Sequence, residues 1–288
     1  MVLMLACGLL GAGGLWVALR WGRFEVVRPW EGAGQDGALP PAPVAVVRRY
    51  LWYVDLAVIS GIIAGLLVAG PGGRLAMRLL AATAGDAAQG RLTEAEFAVG
   101  EITVGGTIGL VVFVGVFGGM FTSALFLLVR RWLPGGRAAG LSFGPLLLVV
   151  GATRLEPLRA GNPDFGLVGP GWLAVAVFTV LVVVHAMAVA AVAGRVSRAL
   201  PLLSGERRTW RWHVPLLLLV PAGVGALVVA VAAGAVAAAS RVRQVGEGLR
   251  STITTTAGRL VLAAGAAAAL PGFVRAVADI AGRPTGVR

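Results

Sequence analysis

Long apolar runs, separated by short stretches rich in arginine, proline or acidic residues, dominate the pattern along the chain. Cutting the sequence at those stretches leaves seven apolar segments: Val2 to Leu19, Tyr50 to Gly70, Val104 to Val129, Ala138 to Thr153, Trp172 to Gly194, Val214 to Ala239 and Leu260 to Val274. A helix needs about 20 residues to cross a hydrocarbon layer of about 30 Å, and the second, third, fifth and sixth segments reach that length. The pattern therefore predicts an all-α fold, a polytopic transmembrane helix bundle.

The fourth and seventh segments are the shortest. The fourth would span only about 24 Å as a helix, and the seventh is shorter still and contains Pro271. Either segment also fits a re-entrant or interfacial helix. We predict seven spans, with six as the alternative.

Arginine carries all of the basic charge, because the chain has no lysine, and the net charge is +12. With the N-terminus outside, the predicted inner loops and the C-terminal tail hold 16 arginines and the outer loops hold nine. Cytoplasmic loops typically carry the basic excess, so we expect the N-terminus outside and the C-terminus in the cytoplasm. The arginines lie between apolar runs and not along one polar face, which predicts contact with anionic lipid headgroups and no nucleic-acid partner.

Composition sets the class of protein and the domain organisation. The chain is 58% hydrophobic and only 13% charged, with a mean hydropathy of +0.87, which leaves too few polar residues for the surface of a soluble domain. We predict a first transmembrane helix over 1–28, a cytoplasmic linker rich in proline and glycine over 29–49, and a transmembrane bundle over 50–288 with an outer charged loop at 71–103. The predicted partner is the lipid bilayer.

The residue types exclude several kinds of chemistry. Without lysine there is no phosphate-loop lysine and no Schiff base to a cofactor. Two histidines and one cysteine exclude a histidine-rich metal site and an intrachain disulfide. We expect no cofactor and no metal.

One arrangement resembles an enzyme. Ser142 on the short fourth segment and His185 on the fifth are similar to the serine and histidine of rhomboid-type intramembrane serine proteases. However, Phe143 stands where that family has a glycine, and the two side chains differ by roughly 7 Å in expected depth. An intramembrane serine hydrolase is kept as a remote alternative.

The predicted outer loops hold most of the candidate site residues. Pro71 is expected to end the second span, so that Arg74 and Arg78 share one face of a short interfacial helix. Thr93 and Glu96 fit a capping box, which would start the third helix early and place two further acidic residues, Glu94 and Glu101, on one side of it. Asp164 adds a carboxylate in the next outer loop.

Two interpretations of these charges remain open. Arg74 and Arg78 are suited to bind an anion or a lipid headgroup, with Glu101 orienting them; the same residues also fit a structural ion-pair network. His185, in mid-span, indicates either a pathway or a structural hydrogen bond to a neighbouring helix. Asp55 is interpreted as structural, at a position where Arg130 or Arg131 could neutralise it. The candidate ligand-binding residues are Arg74, Arg78, Glu94, Glu101, Asp164 and His185.

Glycines at four-residue spacing recur in the spans, at 61 and 65, 105 and 109, and 115 and 119. Such pairs let helix backbones approach closely. They favour a structural or regulatory membrane subunit that acts by helix packing with a membrane-protein partner or a second copy of itself. The alternative is a transporter, or a lipid- or anion-binding membrane protein, that uses the outer Arg/Glu cluster.

Four short segments carry a resemblance to a family: Met77 to Thr83, Gly100 to Thr107, Arg131 to Pro134 and Asn162 to Phe165. They resemble segments of a loosely related set of uncharacterised actinobacterial integral membrane proteins, over roughly residues 70 to 200. The resemblance implies a multi-span protein of the bacterial cell (inner) membrane and transfers no functional residue.

Overall fold

Helices make up most of the computed structural model, which describes residues 2–20, 24–30, 42–159, 161–203, 207–219 and 252–283. Within those ranges the only extended pairing is an isolated bridge between Leu92 and Ala98. The prediction of an all-α fold is therefore confirmed.

The helices follow one another in a simple order. They are α1 (Val2–Arg20), α2 (Ala42–Ala64), α3 (Gly70–Ala82), α4 (Val104–Leu110), α5 (Gly118–Val129), α6 (Arg137–Leu147), α7 (Gly171–Ala199), α8 (Arg207–Trp210) and α9 (Thr252–Ala281). Wide π-helical turns join α2 to α3 (Gly65–Ala69) and α4 to α5 (Val111–Phe117), and another extends α6 (Leu148–Ala152). A 3₁₀ segment, Arg211–Leu219, follows α8.

Five helical segments in the described ranges are long and apolar enough to cross a membrane: Val2–Arg20, Val47–Ala82, Val104–Val129, Gly171–Ala199 and Thr254–Ala281. The segment Arg137–Ala152 is apolar but shorter. The predicted bounds of the third segment agree with the structure. The seventh is longer than expected at both ends, because the helix begins at Thr252, is not interrupted by Pro271 and ends at Ala281.

The second span does not end at Pro71, as the sequence predicted, but continues without a break to Ala82. Proline has no N–H and its ring crowds the carbonyl four residues earlier, so it is disfavoured inside a regular helix. Here a π-helical turn precedes it, in which the Gly70 N–H donates to the Gly65 carbonyl five residues earlier. This wider turn accommodates the proline, and the expected interfacial helix is therefore the last part of one long helix.

Two other local predictions are wrong. The linker was expected to reach residue 49, but α2 begins at Ala42; residues 31–41 lie outside the described part. The capping box at Thr93 does not form, since its backbone and hydroxyl bond to Phe97 within a tight hairpin. The third span instead begins with Thr103, whose Oγ1 accepts a hydrogen bond of 3.1 Å from the Gly106 N–H. Glu94 and Glu101 consequently do not share a helix.

At the centre of the bundle, α2 packs against α5, and both helices pack against α7. A Cβ on Gly65 would lie 1.8 Å from the Gly115 carbonyl oxygen, and one on Gly61 would lie 2.4 Å from the Met120 Cα. Two of the three predicted glycine pairs are therefore in contact with each other inside this chain. The third pair is not, because a Cβ on Gly105 or Gly109 meets nothing within 4 Å.

The two ends of the bundle differ in character. The "arginine end" holds the turn after α5, with Arg130 and Arg131, and the end of α7; the "loop end" holds the hairpin 83–103 and the loop 153–170. Gly11 of α1 packs near Leu75 of α3, and Val27 donates to the Ser197 hydroxyl at the arginine end. Helix α1 therefore starts towards the loop end.

Helix α9 runs in the direction opposite to the predicted one. Gly258 packs against the Trp132 ring at the arginine end, whereas Arg283 donates a 3.1 Å hydrogen bond to the Asn162 carbonyl at the loop end. The first and last described residues therefore lie at the same end, contrary to the predicted opposite termini. The reason is that the chain is at the arginine end both at His213, which contacts Asp55, and again at Gly258. Most of the predicted sixth segment, residues 220–239, lies outside the described ranges, and the count of seven spans is not confirmed.

Candidate functional site: a cavity at the loop end and buried polar groups

The last turns of α3 and the hairpin 83–103 enclose a cavity of about 330 Å³ at the loop end. Gln89 holds the hairpin against α3 through a 2.9 Å hydrogen bond to the Ala81 carbonyl, and the Gly90 N–H donates to the Val99 carbonyl at 3.0 Å. The wall of the cavity is therefore fixed by backbone contacts. Its apolar lining consists of Met77, Leu92, Phe97, Val99, Ile102 and Val168.

Arg74 and Arg78 line this cavity from one face of α3. Arg78 Nη1 donates to the Gly100 carbonyl at 3.0 Å, and Arg74 Nη2 approaches the Glu101 carbonyl at 3.4 Å. The predicted grouping of Arg74, Arg78 and Glu101 is thus formed, but the contacts with the arginines are made by backbone oxygens. Within the described ranges, neither arginine lies within ion-pair distance of a carboxylate.

The cavity is lined by as many glutamates as arginines, but one arginine keeps an unused hydrogen-bond donor. Glu96 and Glu101 also line it, and both are exposed to solvent. The Arg74 Nε is buried and has no hydrogen-bond partner in the part of the chain that the structure describes. Buried guanidinium N–H groups are normally satisfied, so the cavity presents donors suited to an anion.

Glu94 and Asp164 belong to a separate network beside the cavity. Arg159 pairs with Glu94 and, through its Nε, with Glu156 at 3.0 Å; the Glu156 hydrogen bond raises the pKa of Arg159. Asp164 Oδ1 accepts a 2.8 Å hydrogen bond from the Glu94 backbone N–H. Burial raises the pKa of the Asp164 carboxyl above its ordinary value. These contacts fasten one loop to another, which is the structural interpretation of these two residues.

His185 lies apart from both groups. It is 7% exposed on α7, and its ring approaches the Ala64 backbone without completing a hydrogen bond of ordinary geometry. Ala64 precedes Arg74 by ten residues, or about 15 Å of helix. His185 does not line the loop-end cavity.

The serine–histidine arrangement of an intramembrane hydrolase is not formed. Gly140 and Gly144 face α7, where a Cβ on Gly144 would lie 2.9 Å from the Val183 Cα. Ser142 lies between them in sequence and therefore points elsewhere, lining a groove with Arg259 of α9. Its hydroxyl donates to the Ala138 carbonyl at 2.7 Å.

A buried pair that was not predicted from the sequence lies at the arginine end, where the Asp55 carboxylate contacts Nδ1 of His213. The expected neutralisation of Asp55 by Arg130 or Arg131 is wrong. Arg130 donates to the Tyr53 hydroxyl at 3.2 Å, and Arg131 lies over the Trp132 ring. A single acidic residue in an apolar helix is costly unless another group pairs with it. Because the chain has only two histidines, the position of Asp55 in such a helix could have suggested His213 as its partner.

Comparison of the chain with protein-family models, with curated proteins and with solved structures found no match.

Proposed function

We propose that this chain is an integral membrane protein that binds the anionic headgroup of a lipid in its loop-end cavity. The observation that carries the proposal is the pair of arginines, Arg74 and Arg78, in a cavity whose lining is mostly apolar. Glu96 and Glu101 also line it, but within the described ranges neither arginine lies within ion-pair distance of a carboxylate. The actinobacterial resemblance, and with it a bacterial cell membrane as the location, belongs to the same proposal.

The described helices support six crossings. Helix α1, the helix Val47–Ala82, the helix Val104–Val129, the short segment Arg137–Ala152, α7 and α9 alternate in direction between the two ends. Among the described residues, the larger share of the arginines lies at the arginine end, which favours that end as cytoplasmic. The loop end, with its cavity and both described chain ends, then faces outwards.

The shape of the cavity favours an amphiphile with a negatively charged head. Two guanidinium groups donate to phosphate oxygens in good geometry, and the unpartnered Arg74 Nε supplies a further donor. Much of the remaining lining is apolar, and the neighbouring start of α4 exposes Val104 (67%) and Ile108 (58%). An acyl chain beside these residues would bury apolar surface while its headgroup contacts the arginines.

The test is lipid retention by the full chain purified in mild detergent, measured by native mass spectrometry. Phosphatidylglycerol, phosphatidylcholine and inorganic phosphate are added separately. We expect retention of phosphatidylglycerol, and a decrease of at least about tenfold in affinity for Arg74→Gln or Arg78→Gln, because a charge-assisted hydrogen bond contributes roughly 1.5–3 kcal/mol. Arg154→Gln is the matched control, since Arg154 is exposed at the same end and does not line the cavity.

The results with the two lipids and with inorganic phosphate distinguish the possible ligands. Equal retention of phosphatidylcholine and phosphatidylglycerol, or unchanged retention in the Arg74 and Arg78 variants, would contradict the proposal. Binding of inorganic phosphate with the same dependence on Arg74 and Arg78, but no lipid, would identify a soluble anion as the ligand in place of a lipid.

A membrane subunit that acts by helix packing is the second candidate function. One observation favours it: Gly105 and Gly109 of α4 are open, and the exposed side chains of Ile108 and Phe113 lie on the same stretch. The other two predicted glycine pairs already contact each other within this chain. If this candidate is right, Gly109→Leu will dissociate a complex in crosslinking or native mass measurements, whereas Gly13→Leu, at another open position, will not.

A further inference from the structure

Asp55 is a charged group in an unusual position. It is the only acidic residue in the helical span Val47–Ala82, and its side chain is fully buried. A carboxylate in apolar surroundings persists only when a proton or a cation neutralises it. The identity of that neutralising group decides what the site does.

Two of the arginines at the arginine end contact aromatic side chains. Arg130 donates to the Tyr53 hydroxyl and lies over its ring, and Arg49 lies over the Trp30 ring. In the described part of the chain, the ion-pair contact of Asp55 goes to His213. The elements packed around this end also carry Tyr50, Arg28, Arg195 and Arg198.

Pairing with histidine differs from pairing with arginine in one respect. A guanidinium keeps its charge at every physiological pH, whereas an imidazole gains and loses a proton near neutrality. The charge balance of the Asp55–His213 pair therefore depends on one exchangeable proton.

Two polar atoms of the pair indicate that water is bound beside it. Asp55 Oδ1 and His213 Nε2 are both buried, and neither has a hydrogen-bond partner among the described residues. Buried polar atoms in native proteins are usually satisfied, often by an internal water molecule. Water at these positions would also connect the imidazole to an external source of protons.

We propose that Asp55 and His213 form a proton-binding site, reached through bound water, that fastens the segment Arg211–Leu219 to the arginine end of α2. His213 is buried against the bundle, whereas Val214 (57% exposed) and Leu217 (66% exposed) of the same segment face away from it. When the proton leaves, the buried carboxylate charge is uncompensated and the attachment weakens. This site is independent of the loop-end cavity and of the function proposed for it.

The test is ¹⁵N NMR of the full chain in detergent, with labelled histidine. The chain has only two histidines, so His185→Gln assigns both sets of imidazole signals. We expect the His213 signals to move between the neutral and cationic positions with one midpoint. In Asp55→Asn that midpoint shifts by at least about tenfold in proton concentration, because a neighbouring carboxylate changes the proton affinity of an imidazole.

Hydrogen exchange of the peptide covering Arg211–Leu219 supplies the second measurement. After correction for the intrinsic pH dependence, exchange in the wild type should accelerate above the His213 midpoint, and Asp55→Asn should abolish that step. The proposal is overturned if the His213 signals stay constant from about pH 4 to about pH 9, or if Asp55→Asn leaves the midpoint unchanged. The His185 signals report whether Asp55→Asn is folded, and if it is not, the wild-type titration decides alone.

Discussion

Gly65→Ala should destabilise the bundle strongly, although alanine is the better helix former. The added Cβ would lie 1.8 Å from the Gly115 carbonyl oxygen, whereas ordinary contacts begin near 3.4 Å. The helical spans Val47–Ala82 and Val104–Val129 must therefore separate by more than 1 Å at this contact. A gap of 0.5–1 Å already forfeits about a quarter to a half of the dispersion energy of each contact. Overpacking of this kind costs about 1–3 kcal/mol or more.

The helix propensity of alanine offsets part of that cost. Replacing glycine in a helix interior by alanine stabilises the helix by about 1 kcal/mol. Because the 1.8 Å contact places the overpacking cost at the upper end of its range, about 3 kcal/mol, we expect a net loss of about 2 kcal/mol in the free energy of unfolding. Gly105→Ala is the matched control, because its Cβ meets nothing within 4 Å and the propensity gain is unopposed. It should be neutral or slightly stabilising.

Reversible unfolding of the purified chain in mixed detergent micelles, followed by circular dichroism, measures both variants. The reasoning about helix contact is refuted if Gly65→Ala unfolds at the same denaturant concentration as the wild type. It is equally refuted if Gly105→Ala loses as much stability as Gly65→Ala, since the two positions differ in the space around them and not in chemistry.

Two further predictions concern single contacts. Because burial raises the pKa of Asp164, the stability linked to this group is fully present below its ordinary pKa of about 3.9 and is lost as pH rises through the raised value. Asp164→Asn, which keeps an oxygen to accept from the Glu94 N–H, should therefore gain stability relative to the wild type as pH rises from about 4 to about 7; thermal unfolding at each pH checks this, and a constant difference would contradict it. Trp52→Phe should cost about 1–3 kcal/mol in unfolding free energy, because a buried indole N–H donates to the Leu200 carbonyl at 2.9 Å. Trp172→Phe, at a 62% exposed position, should cost less than about 0.5 kcal/mol, and equal losses in the two variants would contradict the argument.

The helical class and most of the segment bounds could be predicted from the sequence, because lipid-facing helices must be long and apolar whatever their partners are. Pro71 misled the prediction, since the wide turn that accommodates it depends on packing against α5 and leaves no local signature. The direction of α9 was missed for a different reason. When the direction of each span is derived by alternation from the span before it, an error in one segment reverses every later segment. The contacts of Gly258 and Arg283 give the direction of α9, and they are visible only in the folded structure.

The candidate site could be predicted in part. Arg74 and Arg78 were grouped correctly because four-residue spacing places two side chains on one face of a helix. Glu94 and Asp164 were grouped with them on charge alone, and the structure places them in a neighbouring network. The Asp55–His213 contact joins residues 158 positions apart, and no local pattern encodes such a pairing.

The wide turn at Gly65–Ala69 has a geometric consequence for the long helix in which it lies. A π-helical turn holds about one residue more than a regular turn, and one residue corresponds to a rotation of about 100° around the axis. Without that additional residue, the guanidinium groups downstream would point roughly a quarter of a revolution away from the hairpin they now contact. The angular offset introduced in mid-helix therefore sets the direction in which both arginines project at its end.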